Sequence, residues 1–344
     1  MAQVLKWGWR LSGFLTVVLV FSFFRKSNEL KPYHVNGFAQ GTTYHITYYA
    51  EDSVLRRSQA DSIFHSIDSS LSVYKPYSLI TRFNQCKRGI IADRHLKKVV
   101  AKALEVSRAS GGIFDITVMP LVKLWGFGPE GKTKAEPTAR QIREVLSYVG
   151  YRKIYFKEDS LIKKDYRTTI DVNGIAQGYT VDVIAGFFES KGIRNYLVEV
   201  GGEIRVKGSK QPSGELMKIG IERPSETVDD SNPVLIKRIR VKEGAVTTSG
   251  KYRNAYKSGS KKISHLMDPR TGYSIRNEMI SATVLAKDGI TADAYDNVFM
   301  GMSVNEAFAF LKKHPGLEGY FIYSGKDGAV ADTASAGFNA LLEK

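Results

Sequence analysis

An α+β fold with antiparallel sheets is what this sequence predicts, and three observations predict it. Helical and strand-like periodicities are mixed along the chain without strict β–α–β alternation, which argues against a doubly wound nucleotide fold. A polar stretch, Tyr256 to Lys261, reads as the tip of a hairpin joining adjacent strands. Of the 344 residues 43% are hydrophobic and 25% charged, a globular composition with enough apolar surface for a sizeable core.

Taken in order, residues 1–26 carry the one long apolar run, Leu11 to Phe24, behind the basic Lys6 and Arg10. As a helix that run is roughly 21 Å long, and roughly 27 Å counted from Trp7 with Arg10 snorkelling. It reads as an uncleaved signal-anchor, with a cleaved signal peptide or a buried N-terminal helix as the alternatives. Positive charge on both flanks leaves its orientation open. No cysteine follows it closely, so lipoprotein processing is excluded. Residues 27–32 read as a linker, and 33–344 as the functional domain.

Within that domain Thr43–Tyr49 alternates like a strand. Asp61–Tyr74 reads as a helix with Ile63, Phe64, Ile67 and Leu71 on one stripe. Leu96–Ser110 is a second helix, stopped by Gly111-Gly112. Thr138 caps a third, carrying Ile142, Val145, Leu146 and Val149. Ala176–Ser190 is a fourth, and Ser303-x-x-Glu306 is a capping box opening a fifth through Lys313. Strand-like runs are Asn195–Val200, Met217–Glu222, Val234–Val241, Lys262–Leu266, Ser281–Ala286 and Gly319–Tyr323. Neither common phosphate loop, GxGxxG or GxxxxGK(S/T), is expected.

The formal net charge is +15, and Lys6, Arg10, Arg25 and Lys26 account for four of it. The remaining excess is scattered, as on a solvated surface, and no nucleic-acid motif accompanies it, so no nucleic-acid partner is expected. The single cysteine, Cys86, excludes an internal disulfide and any zinc site needing two thiolates.

Four segments carry chemistry. In Thr291–Asn297, Asp293 and Asn297 are i, i+4 and Asp296 is i+3 from Asp293, so three oxygen-bearing side chains fall within one turn. Hard cations such as Mg²⁺ or Ca²⁺ take such ligands, and an acidic first helical turn favoured by the macrodipole reads the same way. In Asp171–Tyr179 an Asp- and Gly-containing turn enters a helix, either as a plain cap or as a close approach to a ligand. Gly201-Gly202 ends a strand, either as a turn or as another such approach. Further on, His265 and Asp268 are a candidate base and partner, although Asp268-Pro269-Arg270-Thr271-Gly272 is also a good turn.

Together these segments resemble the FAD:protein FMN transferases, the flavin transferases known as ApbE. The resemblance runs in order through Gly41-Thr42-Thr43-Tyr44, Leu71-Ser72-Val73-Tyr74, Ser78, Arg82-Phe83-Asn84, Phe114–Val118 and Leu124-Trp125-Gly126-Phe127-Gly128. It continues through Asp171–Tyr179, Gly201-Gly202, Thr248-Ser249-Gly250, His265–Gly272 and the Asp293 turn. It implies a T-fold-like α+β architecture with the flavin in a cleft between two lobes. It implies FAD as substrate, Mg²⁺ as cofactor, and transfer of FMN to a Ser or Thr hydroxyl of an acceptor flavoprotein subunit, with AMP released. The metal positions so implied are Gly174 (backbone carbonyl), Asp293, Asp296 and Asn297, the last standing where the family usually has Thr. The flavin positions are Gly41, Tyr74, Phe114, Asp115, Asp171, Gln177 and Met267, and His265 and Asp268 lie toward the acceptor hydroxyl. Gln177 stands where many members carry Lys or Glu, Gln40 where Met often precedes Gly-Thr, and Met217 where Trp is frequent. With the N-terminal run, the implied location is a membrane-anchored domain on the periplasmic or extracytoplasmic side. An FAD pyrophosphatase yielding FMN and AMP, and a non-catalytic FAD-binding protein, are the competing readings.

Overall fold

A computed structural model describes residues 29–128, 136–224, 234–251, 255–258 and 261–343. The expected anchor over residues 1–26 lies outside them. Among the described residues no helix is long and apolar enough to cross a membrane.

The chain opens with a hairpin, β1 (Lys31–Ala39) and β2 (Thr42–Ala50), followed by α1 (Arg57–Leu71), α2 (Leu79–Gln85), β3 (Gly89–Ile91) and α3 (Arg94–Ala109). Next come α4 (Met119–Leu124), α5 (Ala139–Leu146), β4 (Ile154–Lys157), β5 (Ser160–Lys163) and α6 (Asn173–Ser190). The second half runs through β6 (Tyr196–Val200), β7 (Glu203–Lys207), β8 (Met217–Glu222), β9 (Leu235–Val241), β10 (Glu243–Gly250), β11 (Ala255–Ser258), β12 (Lys261–Ser264) and β13 (Met279–Ala286). It closes with α7 (Gly289–Met300), α8 (Val304–Lys313), β14 (Glu318–Ser324), β15 (Val330–Ala334) and α9 (Ala336–Asn339).

Eight strands form one antiparallel sheet in the order β1-β2-β6-β7-β10-β13-β14-β15. Its two faces are separated by the pleat, as adjacent residues of β10 show. Ala245 packs with the helices α3, α6 and α7, whereas Val246 packs with β8, β9 and Phe338 on the other side. The helix side is the larger core. In α3 the buried Leu96, Val99, Val100, Ala103 and Leu104 form one stripe, and Asp93 caps the helix by accepting from Leu96 N at 2.8 Å. A separate small core holds α4 and α5, with Leu121, Trp125, Ile142, Val145 and Met267.

Several boundaries differ from the sequence expectation. Lys31 and Pro32, expected as linker, begin β1, an edge strand where a missing N–H is tolerated. The first helix ends at Leu71, because Ser72 turns to an extended conformation, so Tyr74 sits in the following turn. Val149 is buried beyond the end of α5. The capping boxes at Thr138 and Ser303 are both present, and the predicted hairpin forms as β11–β12.

Candidate active site

The α6–α7 crossing makes the site. Gly178 on α6 and Gly289 at the start of α7 face each other so closely that a Cβ on either would land on the other's carbonyl oxygen. That contact lets Gly178 N donate to Asp293 Oδ2 at 2.8 Å. The start of α7 is held twice. Asp288 caps it through Thr291 N at 3.1 Å, and Asp182 of α6 accepts from Gly289 N at 2.7 Å and Ile290 N at 2.9 Å. Arg205 on β7 stands 3.6 Å from the Asp182 carboxylate.

Within this frame the expected metal positions come together. Asp293 and Asp296 are both buried, at 3% and 1% exposure. Burial raises the Asp293 carboxyl to about 7, the Asp182 charge adds to the rise, and the Gly178 hydrogen bond opposes it. Burial also pushes Asp296 well up, with Asp293 and Glu203 adding to it and Thr247 opposing. Asn297 Nδ2 lies 2.8 Å from Asp296 Oδ1, 3.0 Å from the Asp293 carbonyl and 3.3 Å from the Gly174 carbonyl. Oxygens from two helices thus converge on one donor. The oxygens around that donor, two carbonyls and a carboxylate, are of the hard type that Mg²⁺ or Ca²⁺ takes.

The flavin positions divide. Gly41 and Gln40 form the two-residue β1–β2 turn, both with positive φ (+77° and +53°), a requirement of this turn type. Gln40 is tied to Asp68 at 3.3 Å and to Thr180 of α6 at 3.1 Å. Gln177 lies against Gly201, as does Thr42, so the β1–β2 turn, the Gly201-Gly202 turn and the start of α6 are neighbours. Tyr74, 64% exposed, feels the Asp171 carboxylate and the Asn173 side chain, and Asp171 itself accepts from Asn173 N at 2.8 Å.

Phe114, Asp115 and Met267 are placed differently, within cores. Phe114 packs in the main core and Met267 in the α4–α5 core. Asp115 is 5% exposed; its Oδ1 accepts from Thr117 N and Oγ1 and its Oδ2 from Tyr151 N, so both oxygens are committed to loop backbone and side chain. Asp268 is likewise engaged, accepting from Arg270 N, Nε and Nη2 at 2.9 Å each. His265 sits edge-on to Phe127, with ring centroids 6.4 Å apart, and Trp125 Nε1 donates to Gly272 O at 2.9 Å. The Leu124–Gly128 and His265–Gly272 segments are therefore one unit.

Contrary to expectation, Gly126 to Thr133 does spell both phosphate-loop patterns. Its described part follows helix α4 rather than a strand, so it lacks the strand–loop–helix context that gives those patterns their chemistry. Sequence reasoning missed Asp182, Gly289 and Arg205. No motif marks them, since their roles arise only where α6 crosses α7.

An antiparallel α+β sheet backed by a helix pair, with two buried carboxylates beside a glycine-containing helix entrance, is the class of fold and site this chain presents. Comparison with known proteins narrows this class. The ApbE family model matches residues 40–321, and the chain belongs to the ApbE family. It is 32% identical to the FAD:protein FMN transferase of Haemophilus influenzae, over 97% of this chain and 98% of that protein. It is 33% identical to the FAD:protein FMN transferase of Vibrio cholerae, over 90% and 93%. Among solved structures, the flavin transferase ApbE of Vibrio cholerae superposes with a TM-score of 0.80 at 32% identity, covering 91% of this chain and 99% of that one. The apo flavinyl transferase ApbE of Pseudomonas stutzeri gives 0.81 at 28% identity, covering 91% and 97%.

Proposed function

We propose that the protein transfers FMN from FAD to a Ser or Thr hydroxyl of an acceptor protein in a Mg²⁺-dependent reaction. The acceptor oxygen forms a bond to the FMN phosphorus, the bridging bond to the adenylate half breaks, and AMP leaves with the bridging oxygen. The observation that carries the reading is the pair of buried carboxylates, Asp293 and Asp296, set against the entrance of α6.

Asp293, Asp296, the Gly174 carbonyl and the Asn297 side-chain oxygen are assigned to hold the magnesium. Bound there, the ion would neutralise the pyrophosphate oxygens and orient them for in-line displacement. The positive end of α6 adds to the pull on the phosphates. The neighbouring turns at Gly41 and Gly201, with Gln177 between them, supply close backbone approach and a neutral hydrogen-bonding group for the nucleotide. Tyr74, exposed beside Asp171, offers a ring face to a planar ligand. Phe114, Asp115 and Met267 support the flavin side by holding loops and core in place. His265 is assigned to take the proton of the acceptor hydroxyl, and the Asp268–Arg270 pair to hold the turn that carries it. The flavin cleft would run between the sheet with its α6–α7 pair and the α4–α5 unit, the two lobes of a T-fold-like arrangement. Residues 1–26 would tether this domain on the extracytoplasmic side, where redox-complex subunits are its acceptors.

The test mixes purified protein, FAD, Mg²⁺ and a candidate acceptor and measures intact acceptor mass. A gain equal to FMN that disappears with EDTA and with Asp293→Ala supports the proposal. AMP and free FMN without acceptor modification indicate hydrolysis instead, and retained FAD with no product indicates binding alone.

A further inference from the structure

Asn297 does more than fill a ligand position. An amide presents two donors on nitrogen and an acceptor on oxygen. Here the nitrogen faces three oxygens, Asp296 Oδ1, the Asp293 carbonyl and the Gly174 carbonyl, at 2.8, 3.0 and 3.3 Å. The amide oxygen faces one hydroxyl, Ser249 Oγ on β10, at 3.4 Å. The surroundings therefore fix the amide's direction. Turned over, its oxygen would meet three oxygens, an arrangement that is favourable only with a cation between them. The nitrogen would then meet Ser249, whose hydroxyl accepts as readily as it donates.

We propose that Asn297 is a reversible stand-in for the cation: its NH₂ group occupies the oxygen cluster when no metal is bound, and metal entry turns the amide over. In the turned state Oδ1 joins the ligands and Nδ2 donates to Ser249 Oγ. This rests on the metal-dependent reading above and adds a cost to it. The cation must displace hydrogen bonds that a side chain without an NH₂ group would not make. Metal affinity is therefore set by the side chain at 297 as well as by the carboxylates, and by linkage the metal-free protein is the more stable for having Asn there.

The test titrates Mg²⁺ calorimetrically, and Mn²⁺ by electron paramagnetic resonance, into the full protein with and without FAD, and records melting temperature with and without metal. Asn297→Thr is neutral and removes the NH₂ group. It should tighten cation binding about tenfold and lower the melting temperature only in the metal-free state. Ser249→Ala removes the acceptor for the turned amide and should weaken cation binding several-fold. Equal affinities in wild type and Asn297→Thr, or an equal loss of melting temperature with and without metal, overturn the stand-in and leave the transferase reading intact. No binding of either cation by any form, with FAD present, overturns both.

Discussion

Asp182 fixes the start of α7, and with it the cluster, although it would touch neither cation nor substrate. It holds the first two amides of α7 and faces Arg205, Asp288 and Asp293. Burial, the main cause, raises its carboxyl from the ordinary 3.8 to about 6, with Asp288 adding and the two amides and Arg205 opposing. Below pH 3.8 folded and unfolded chains both hold the proton. Between 3.8 and about 6 the unfolded chain gives it up first, so this group's contribution to stability falls as pH rises and levels off above 6. Asp182→Asn should remove that slope, seen as a wild-type-minus-variant difference in metal-free melting temperature that changes between pH 4 and 6 and is constant above. For Asp293→Asn, we expect loss of FMN transfer with a metal-free melting temperature at or above that of wild type, because a desolvated carboxylate becomes a neutral amide that still accepts from Gly178 N. Differential scanning fluorimetry alongside the acceptor-mass assay checks both. At this scale the shared helix face of Asp293, Asp296 and Asn297 was legible, since i, i+3 and i+4 fall together whatever the fold. The placement of Asp115 and Met267 in loop and core was not, because spacing does not say which way a side chain faces.

Helices were read best where their ends carry chemistry of their own. The Thr138 and Ser303 caps are local and need no tertiary partner, whereas the Asp93 cap of α3, equally local, went unread. Ser303→Ala should cost about 1 kcal/mol of stability and leave transfer unchanged, as read from denaturant midpoints and initial rates. Among the strands that escaped notice, β3, β4, β5, β7 and β15 have three to five residues, too short for periodicity to register. The longer β10 was missed because four consecutive residues, Gly244–Thr247, are buried rather than alternating, and β1 because its start reads as polar linker. The α6–α7 crossing was equally illegible, since its defining feature is two glycines 111 positions apart (Gly178 and Gly289) meeting backbone to backbone. Gly178→Ala should force the helices apart, costing about 1–3 kcal/mol. The accompanying shift of Asp293 should lower transfer about 100-fold. Unchanged rate in a folded Gly178→Ala protein would show that the cluster tolerates displacement.

For the molecule as a whole, the described domain begins at the edge strand β1, whose pairing with β2 starts at Lys31. A chain shortened by its first 26 residues keeps that hairpin and every site residue named above. It should partition to the soluble fraction and flavinylate an acceptor at an unchanged rate in detergent-free assay, whereas the full chain should sediment with membranes. Mixed periodicity foretold the antiparallel α+β class, but strand order did not follow from it, because β10 lies between β7 and β13 through contacts remote in sequence. The same shortened chain gains an optical property from the bond that joins Trp125 to Gly272. Of the three tryptophans, Trp7 and Trp9 leave with the N-terminus. The one that remains is 3% exposed, hydrogen-bonded at 2.9 Å to the turn after His265, with the Tyr273 ring 6.1 Å away. Its ultraviolet emission then comes from a single known point. If the flavin binds where proposed, between the sheet and the α4–α5 unit, an isoalloxazine ring, which absorbs in that band, would dim it on arrival, so occupancy would be readable in a cuvette without any label.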